Sequence, residues 1–158
     1  MGLAAGFAAT IAVSILEVAN VVLGPWAVSF PRLLSYVLQS PDNVAVGWIA
    51  HLVVGTLVLG PLFAVLCPRL PTDTAESKGI LFAVGAFIIM GLTVAPMAGV
   101  GVFFMKAGFG TFAWMVATHA VFGLVLGNVY GRLAGHSKEG HDLIYGANGH
   151  HRHGPYHA

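Results

Sequence analysis

Charge is what this sequence has least of. Only 8% of its 158 residues are Asp, Glu, Lys or Arg, where a soluble domain carries about 25%. Hydrophobic residues make up 57% and the mean hydropathy is +0.83. So much apolar surface cannot be hidden inside one small globule, which makes lipid the surrounding solvent. The net charge of +1 comes with no basic cluster, so nucleic acid is not a partner. A single cysteine, Cys67, excludes an intramolecular disulfide. There is no nucleotide motif, no soluble catalytic domain and no nucleophile constellation, so the chain reads as non-catalytic. No Lys or Arg precedes Arg32, and Glu17 interrupts the first apolar stretch. That stretch therefore reads as a retained span rather than a signal peptide.

What is present is four long apolar runs. A helical crossing needs roughly 20 mainly apolar residues, and Leu3 to Leu23, Val44 to Leu66, Ile80 to Phe104 and Thr111 to Leu133 each supply them. Gly24-Pro25, Pro68, Pro71, Gly108 and Gly110 punctuate the runs. They exceed the length of a membrane strand and lack its alternation, so helices rather than a barrel are expected. The expected fold is an all-α integral membrane protein, an up-down bundle over 1–133 followed by a polar segment over 134–158.

Arg69, Lys78, Arg132, Lys138 and Arg152 fall on the side of the termini, and only Arg32 and Lys106 on the other. The positive-inside rule puts both termini in the cytoplasm. In the first outer loop, Pro31 to Gln39 is apolar on one side and reads as a short interfacial helix, with Trp26 and Tyr36 suited to that level.

Two patterns run through the spans. In the first, Gly2, Gly6, Thr10 and Ser14 recur every four residues and Glu17 continues the face, a stripe that allows close helix approach. The second and fourth spans echo each other: His51-x-x-x-Gly55 and His119-x-x-x-Gly123, preceded by Trp48 and Trp114. A 2+2 parallel duplication accounts for that echo.

Ionisable groups inside a membrane are costly and mark candidate sites. At 1.5 Å per residue Glu17, His51 and His119 each fall roughly 10 to 12 Å below one face, with Met97, beside the helix-breaking Pro96, at a comparable depth. A layer of carboxylate, two imidazoles and thioether has several readings. His51 and His119 can ligate haem b axially. Together with Glu17 and Met97 they suit copper or another transition metal. Glu17 can pass protons to a histidine. It can equally lock helix register. After Ala134 the chain turns polar and histidine-rich, with His136, His141, His150, His151, His153 and His157. Imidazoles bind zinc, copper or nickel, but no fixed zinc-finger spacing is present. The alternatives for this tract are a solvated tail or one packed on a neighbouring subunit.

Gly6-x-x-x-Thr10-x-x-x-Ser14, His51-x-x-x-Gly55, Pro96-Met97-Ala98-Gly99-Val100-Gly101 and His119-x-x-x-Gly123 together resemble a family of prokaryotic four-span inner-membrane proteins with no assigned activity. The resemblance covers about Met1 to Leu133 and implies architecture and localisation alone. The leading functional reading is an accessory or assembly subunit of a larger membrane complex, of respiratory or oxidase type. The alternatives are a haem- or metal-binding redox protein using His51 and His119, and a small transporter or proton path centred on Glu17.

Overall fold

The computed structural model describes residues 1–24 and 26–149, with side chains described to residue 135. The histidine side chains of 136, 141, 150, 151, 153 and 157 lie outside the described residues. The described chain is all helix and turn, and four helices are long and apolar enough to cross a membrane: Gly2–Val22, Val44–Arg69, Ala75–Met97 and Phe109–Gly135, here spans 1 to 4. The protein is a multi-pass membrane protein. Ile15, Ile49, Val65 and Ile89 stand exposed on its flanks, where acyl chains replace water as their solvent.

The bounds of spans 3 and 4 differ most from those read in the sequence. Span 3 begins at Ala75 rather than Ile80, because Thr74 caps it: Thr74 Oγ1 accepts the Ser77 N–H at 3.2 Å, and Glu76 sits in the first turn. It ends at Met97 rather than Phe104. Its regular helix already breaks at Thr93 (φ −118°, ψ −68°), since Pro96 has no N–H to offer the Leu92 carbonyl. Gly99 and Gly101 then take φ of 80° and 76° and turn the chain. Span 4 starts at Phe109 rather than Thr111, and its helix runs on to Gly149. The compositional change at Ala134 is therefore not a helix end.

Small residues place the spans. A Cβ on Gly6 would lie 2.7 Å from Gly60 Cα and 2.8 Å from the Gly55 carbonyl, and one on Gly2 2.8 Å from Ala64 Cβ. Thr10 fills the space above Gly55. The second hairpin repeats this set: Gly79 meets Gly123 and Gly127, Ala83 packs on Gly123, and Ala75 on Gly127 and Gly131. At one constant offset, Gly2, Gly6, Thr10 and Ser14 of span 1 correspond to Ala75, Gly79, Ala83 and Phe87 of span 3. In spans 2 and 4, Gly55, Gly60 and Ala64 correspond to Gly123, Gly127 and Gly131.

That second alignment has one residue too many, because Gly55 and Gly60 are one position further apart than Gly123 and Gly127. The helix absorbs it by widening to a π-helical segment, Val54–Leu59. Both glycines thereby stay on the face that meets span 1. Trp48 and Trp114 do not share in the repeat. Trp48 packs edge-on against His51, whereas Trp114 bonds to Glu17.

Between spans 1 and 2 the connecting helix is Phe30–Val37. Its Pro31, Leu33, Leu34 and Ser35 are buried, so it docks on the end of the bundle while Tyr36 stays exposed at its rim. Gly47 makes the docking close, for a Cβ there would overlap the Pro31 carbonyl. Leu33 joins Met90, Ala95, Phe104 and Met115 in a core cluster at this end. A second cluster, around Ala5, Ala9, Phe63, Phe82, Phe122 and Leu126, fills the end near Met1.

Candidate functional site

Spans 1 and 2, 1 and 4, and 3 and 4 pack along their lengths. The pseudo-symmetric partner of the span 1–span 4 contact is span 3–span 2, and there the bundle opens. Phe63 and Phe82 meet there, ring centroids 5.3 Å apart. Beside them lies a cleft of about 470 Å³ whose lining continues past the level of Phe63 to Leu66 and Leu70, within the range of small-molecule sites. Leu59, Leu62, Leu66, Leu81 and Phe82 line its apolar length. Leu62, Leu81 and Ile89 on its lining are exposed, so the cleft opens sideways into the region of the acyl chains.

His51 and His119 both line the cleft, with Thr93 and Thr118, and Phe30 and Leu34 of the connecting helix roof that end. Placement of the roof starts in span 1. Asn20 Nδ2 donates to the Ala27 carbonyl at 2.9 Å, and the Val28 N–H donates to Thr111 Oγ1 at 3.2 Å. These bonds bring Phe30 edge-on to His51, centroids 5.7 Å apart. The cleft is thus polar at the roofed end and apolar below.

The hydrogen bonds fix both imidazole tautomers. Ser14 Oγ lies 2.7 Å from the Thr10 carbonyl, and since a carbonyl cannot donate, the serine proton is spent there. Ser14 Oγ must then accept from His51 Nε2, 3.2 Å away. His51 carries its proton on Nε2 and its lone pair on Nδ1. His119 is the reverse: its Nδ1 is 2.7 Å from the Met115 carbonyl and must donate to it, which leaves the lone pair on Nε2. Phe87 packs edge-on against His119 at 5.4 Å; at the corresponding place in the first hairpin stands Ser14.

Glu17 belongs to a different site. It is fully buried, its Oε1 accepts the Trp114 indole N–H at 3.3 Å, and Trp26 stacks edge-on against Trp114. Asn20 Oδ1 is buried with no hydrogen-bond partner among the described residues, and the Phe30 backbone N–H faces the Glu17 carboxyl. Glu17 does not line the cleft, and no described hydrogen bond joins it to His51 or His119. Met97 is 68% exposed. The single layer expected from depth arithmetic is therefore divided: equal depth fixes height along the bundle normal but not direction around each helix.

Among the described residues no three His, Cys, Asp or Glu side chains come together as a metal-ion group. Axial haem ligation through both Nε2 atoms would require His51 to give up Ser14. What the arrangement offers directly is two hydrogen-bond acceptors at the head of an apolar cleft. Of the packing residues named from the sequence, Gly6, Thr10 and Gly55 meet across the first hairpin, Gly123 meets Gly79 across the second, and Ser14 orients His51.

Sequence reasoning missed Gly85, Phe87, Thr93 and Thr118. The constant offset between Gly6 and Gly79 was the available signal for Phe87, since it sets Phe87 opposite His119 as Ser14 is opposite His51. Thr93 and Thr118 carry no such mark, being ordinary helix threonines that bond back to their own turn.

The chain belongs to the DUF6789 family, a family of unknown function whose model matches residues 1–141. No curated protein and no solved structure matches it.

Proposed function

We propose that this DUF6789 member is a non-catalytic membrane protein that holds a lipophilic molecule in the side-opening cleft between spans 2 and 3. The observation that carries this reading is the cleft itself: an apolar channel whose polar side chains gather at one end. From His51 to Leu66 it extends roughly 20 Å along span 2, about the reach of a long acyl or isoprenoid chain. An opening toward the bilayer supplies an entry route that never passes through water.

Gly85 provides the test. It lines the cleft, and a Cβ there would meet nothing within 4 Å, so Gly85→Leu projects bulk into the cleft without touching a helix crossing. Protein purified in mild detergent should carry a co-purifying lipophile, identified by mass spectrometry of the organic extract and missing from Gly85→Leu. An extract containing only bulk membrane lipid, identical in the two proteins, would sink the proposal.

The sequence-based reading as an accessory subunit is compatible with such a role. We place both termini in the cytoplasm, on the charge bias of Arg69, Lys78 and Arg132 against Arg32 and Lys106, and the membrane as a prokaryotic inner one, on the resemblance to four-span inner-membrane proteins. The apolar flanks serve lipid and a partner's helices alike, so no docking face is singled out. Migration alone, with no co-purifying subunit in mild detergent, would remove the accessory reading and leave the cleft untouched.

A further inference from the structure

We infer that the cleft selects lipophiles whose head group donates a hydrogen bond, a phenolic or alcoholic hydroxyl, over those whose head can only accept. The inference rests on the cleft being a ligand site and adds what the site takes. Its four polar side chains have already committed their protons. His51 gives its Nε2–H to Ser14. His119 gives its Nδ1–H to the Met115 carbonyl. The Thr93 hydroxyl donates to the Ile89 carbonyl at 2.7 Å, and that of Thr118 to the Trp114 and Met115 carbonyls at 3.0 and 3.1 Å. What remains for a ligand is lone pairs, chiefly His51 Nδ1 and His119 Nε2.

The bilayer gives this polarity its weight. A lipophile arriving from acyl chains gains little hydrophobic energy on entering an equally apolar cleft, so its tail scarcely discriminates. The head does. A hydroxyl between the two imidazoles makes a hydrogen bond that acyl chains cannot supply, whereas a carbonyl or ether oxygen faces lone pairs and leaves every group unpaired. Ser14 acts as a positioning residue: by accepting from Nε2 it holds His51 in the tautomer that presents Nδ1. Without it only the Thr10 carbonyl holds the ring, which can then exchange tautomers more readily and present a donor instead.

The experiment is a competition in lipid nanodiscs, read by native mass spectrometry. The probes are a 4-alkylphenol, its O-methyl ether and a 1-alkanol of matched chain length. The phenol is expected to bind about tenfold more tightly than the ether, the difference that one hydrogen bond of ordinary strength produces. An alkanol that matches the phenol upholds selection of any hydroxyl; one that matches the ether overturns the alcoholic half of the inference. Ser14→Ala should shrink the phenol-to-ether ratio several-fold while both still bind. His119→Phe, which keeps a ring against Phe87, should do the same, and serves if Ser14→Ala folds poorly.

Equal binding of phenol and ether, or tighter binding of the ether, overturns donor selection and leaves the cleft reading standing. Failure of all three probes to bind, or binding unchanged by Gly85→Leu, overturns the cleft reading and this inference with it.

Discussion

His51 Nε2 donates to Ser14 Oγ across the first helix hairpin at 3.2 Å, and because Ser14 gives its own proton to Thr10, the direction of that bond is fixed. The second hairpin places Phe87 against His119 at the matching position. Lacking an acceptor there, His119 turns its proton to the Met115 carbonyl of its own helix. Two histidines related by an internal repeat thus keep opposite ring nitrogens free of a proton, and both residues line one cleft.

The glycine crossings are expected to govern stability. Gly60→Leu adds bulk where a Cβ is already 2.9 Å from Gly6 Cα, and overpacking of this kind costs about 1–3 kcal/mol. The thermal half-life of the variant in detergent should fall well below that of Gly85→Leu, whose side chain enters open space. Equal half-lives would show that the crossings do not limit stability.

Deleting Val58, in the π-helical segment and half-exposed, should be tolerated. It brings Gly55 and Gly60 to the spacing of Gly123 and Gly127, and the segment can relax to α-helix. Deleting Leu124 from span 4 rotates Gly127 and Gly131 about 100° away from span 3, and should abolish the monodisperse peak in size-exclusion chromatography. Loss of that peak in both deletions would show that the π segment is not an accommodated insertion.

Glu17 and Trp114 should be energetically coupled. Trp114→Phe strips a fully buried carboxyl of its indole donor, at about 1–3 kcal/mol. In a Glu17→Met background the same change should cost distinctly less, with a coupling of roughly 0.5–3 kcal/mol. Denaturant titration of the four proteins measures it, and additive effects would argue against the bond.

Cys67 is a buried thiol packed in the cluster with Phe63 and Phe82. Alkylation by a maleimide should be slow in the folded protein and fast after unfolding, with mass spectrometry reporting the extent. Labelling equally fast in both states would place the thiol outside that core.

Four crossings, a short helix in the first loop and the small-residue faces were all legible in the sequence. Run length, breakers and the spacing of Gly6, Thr10 and Ser14 are local properties. The end of span 3 was not, because hydropathy continues through Val102 and Phe104 while the missing N–H of Pro96 stops the helix. Nor was the separation of Glu17 from the histidines, which depends on how each helix is rotated about its axis.

By itself the sequence determined that this chain lives in lipid, since an apolar surplus and a lack of charge leave no other solvent. It also determined which residues let helices approach closely, because a missing Cβ acts in any context. The tertiary structure alone decided that spans 2 and 3 stand apart where spans 1 and 4 close, and that Glu17 faces Trp114 while His51 and His119 face the cleft. It also set which ring nitrogen each histidine keeps free. Those features depend on what lies opposite a side chain across a helix interface, and that is set by packing between segments far apart in the chain.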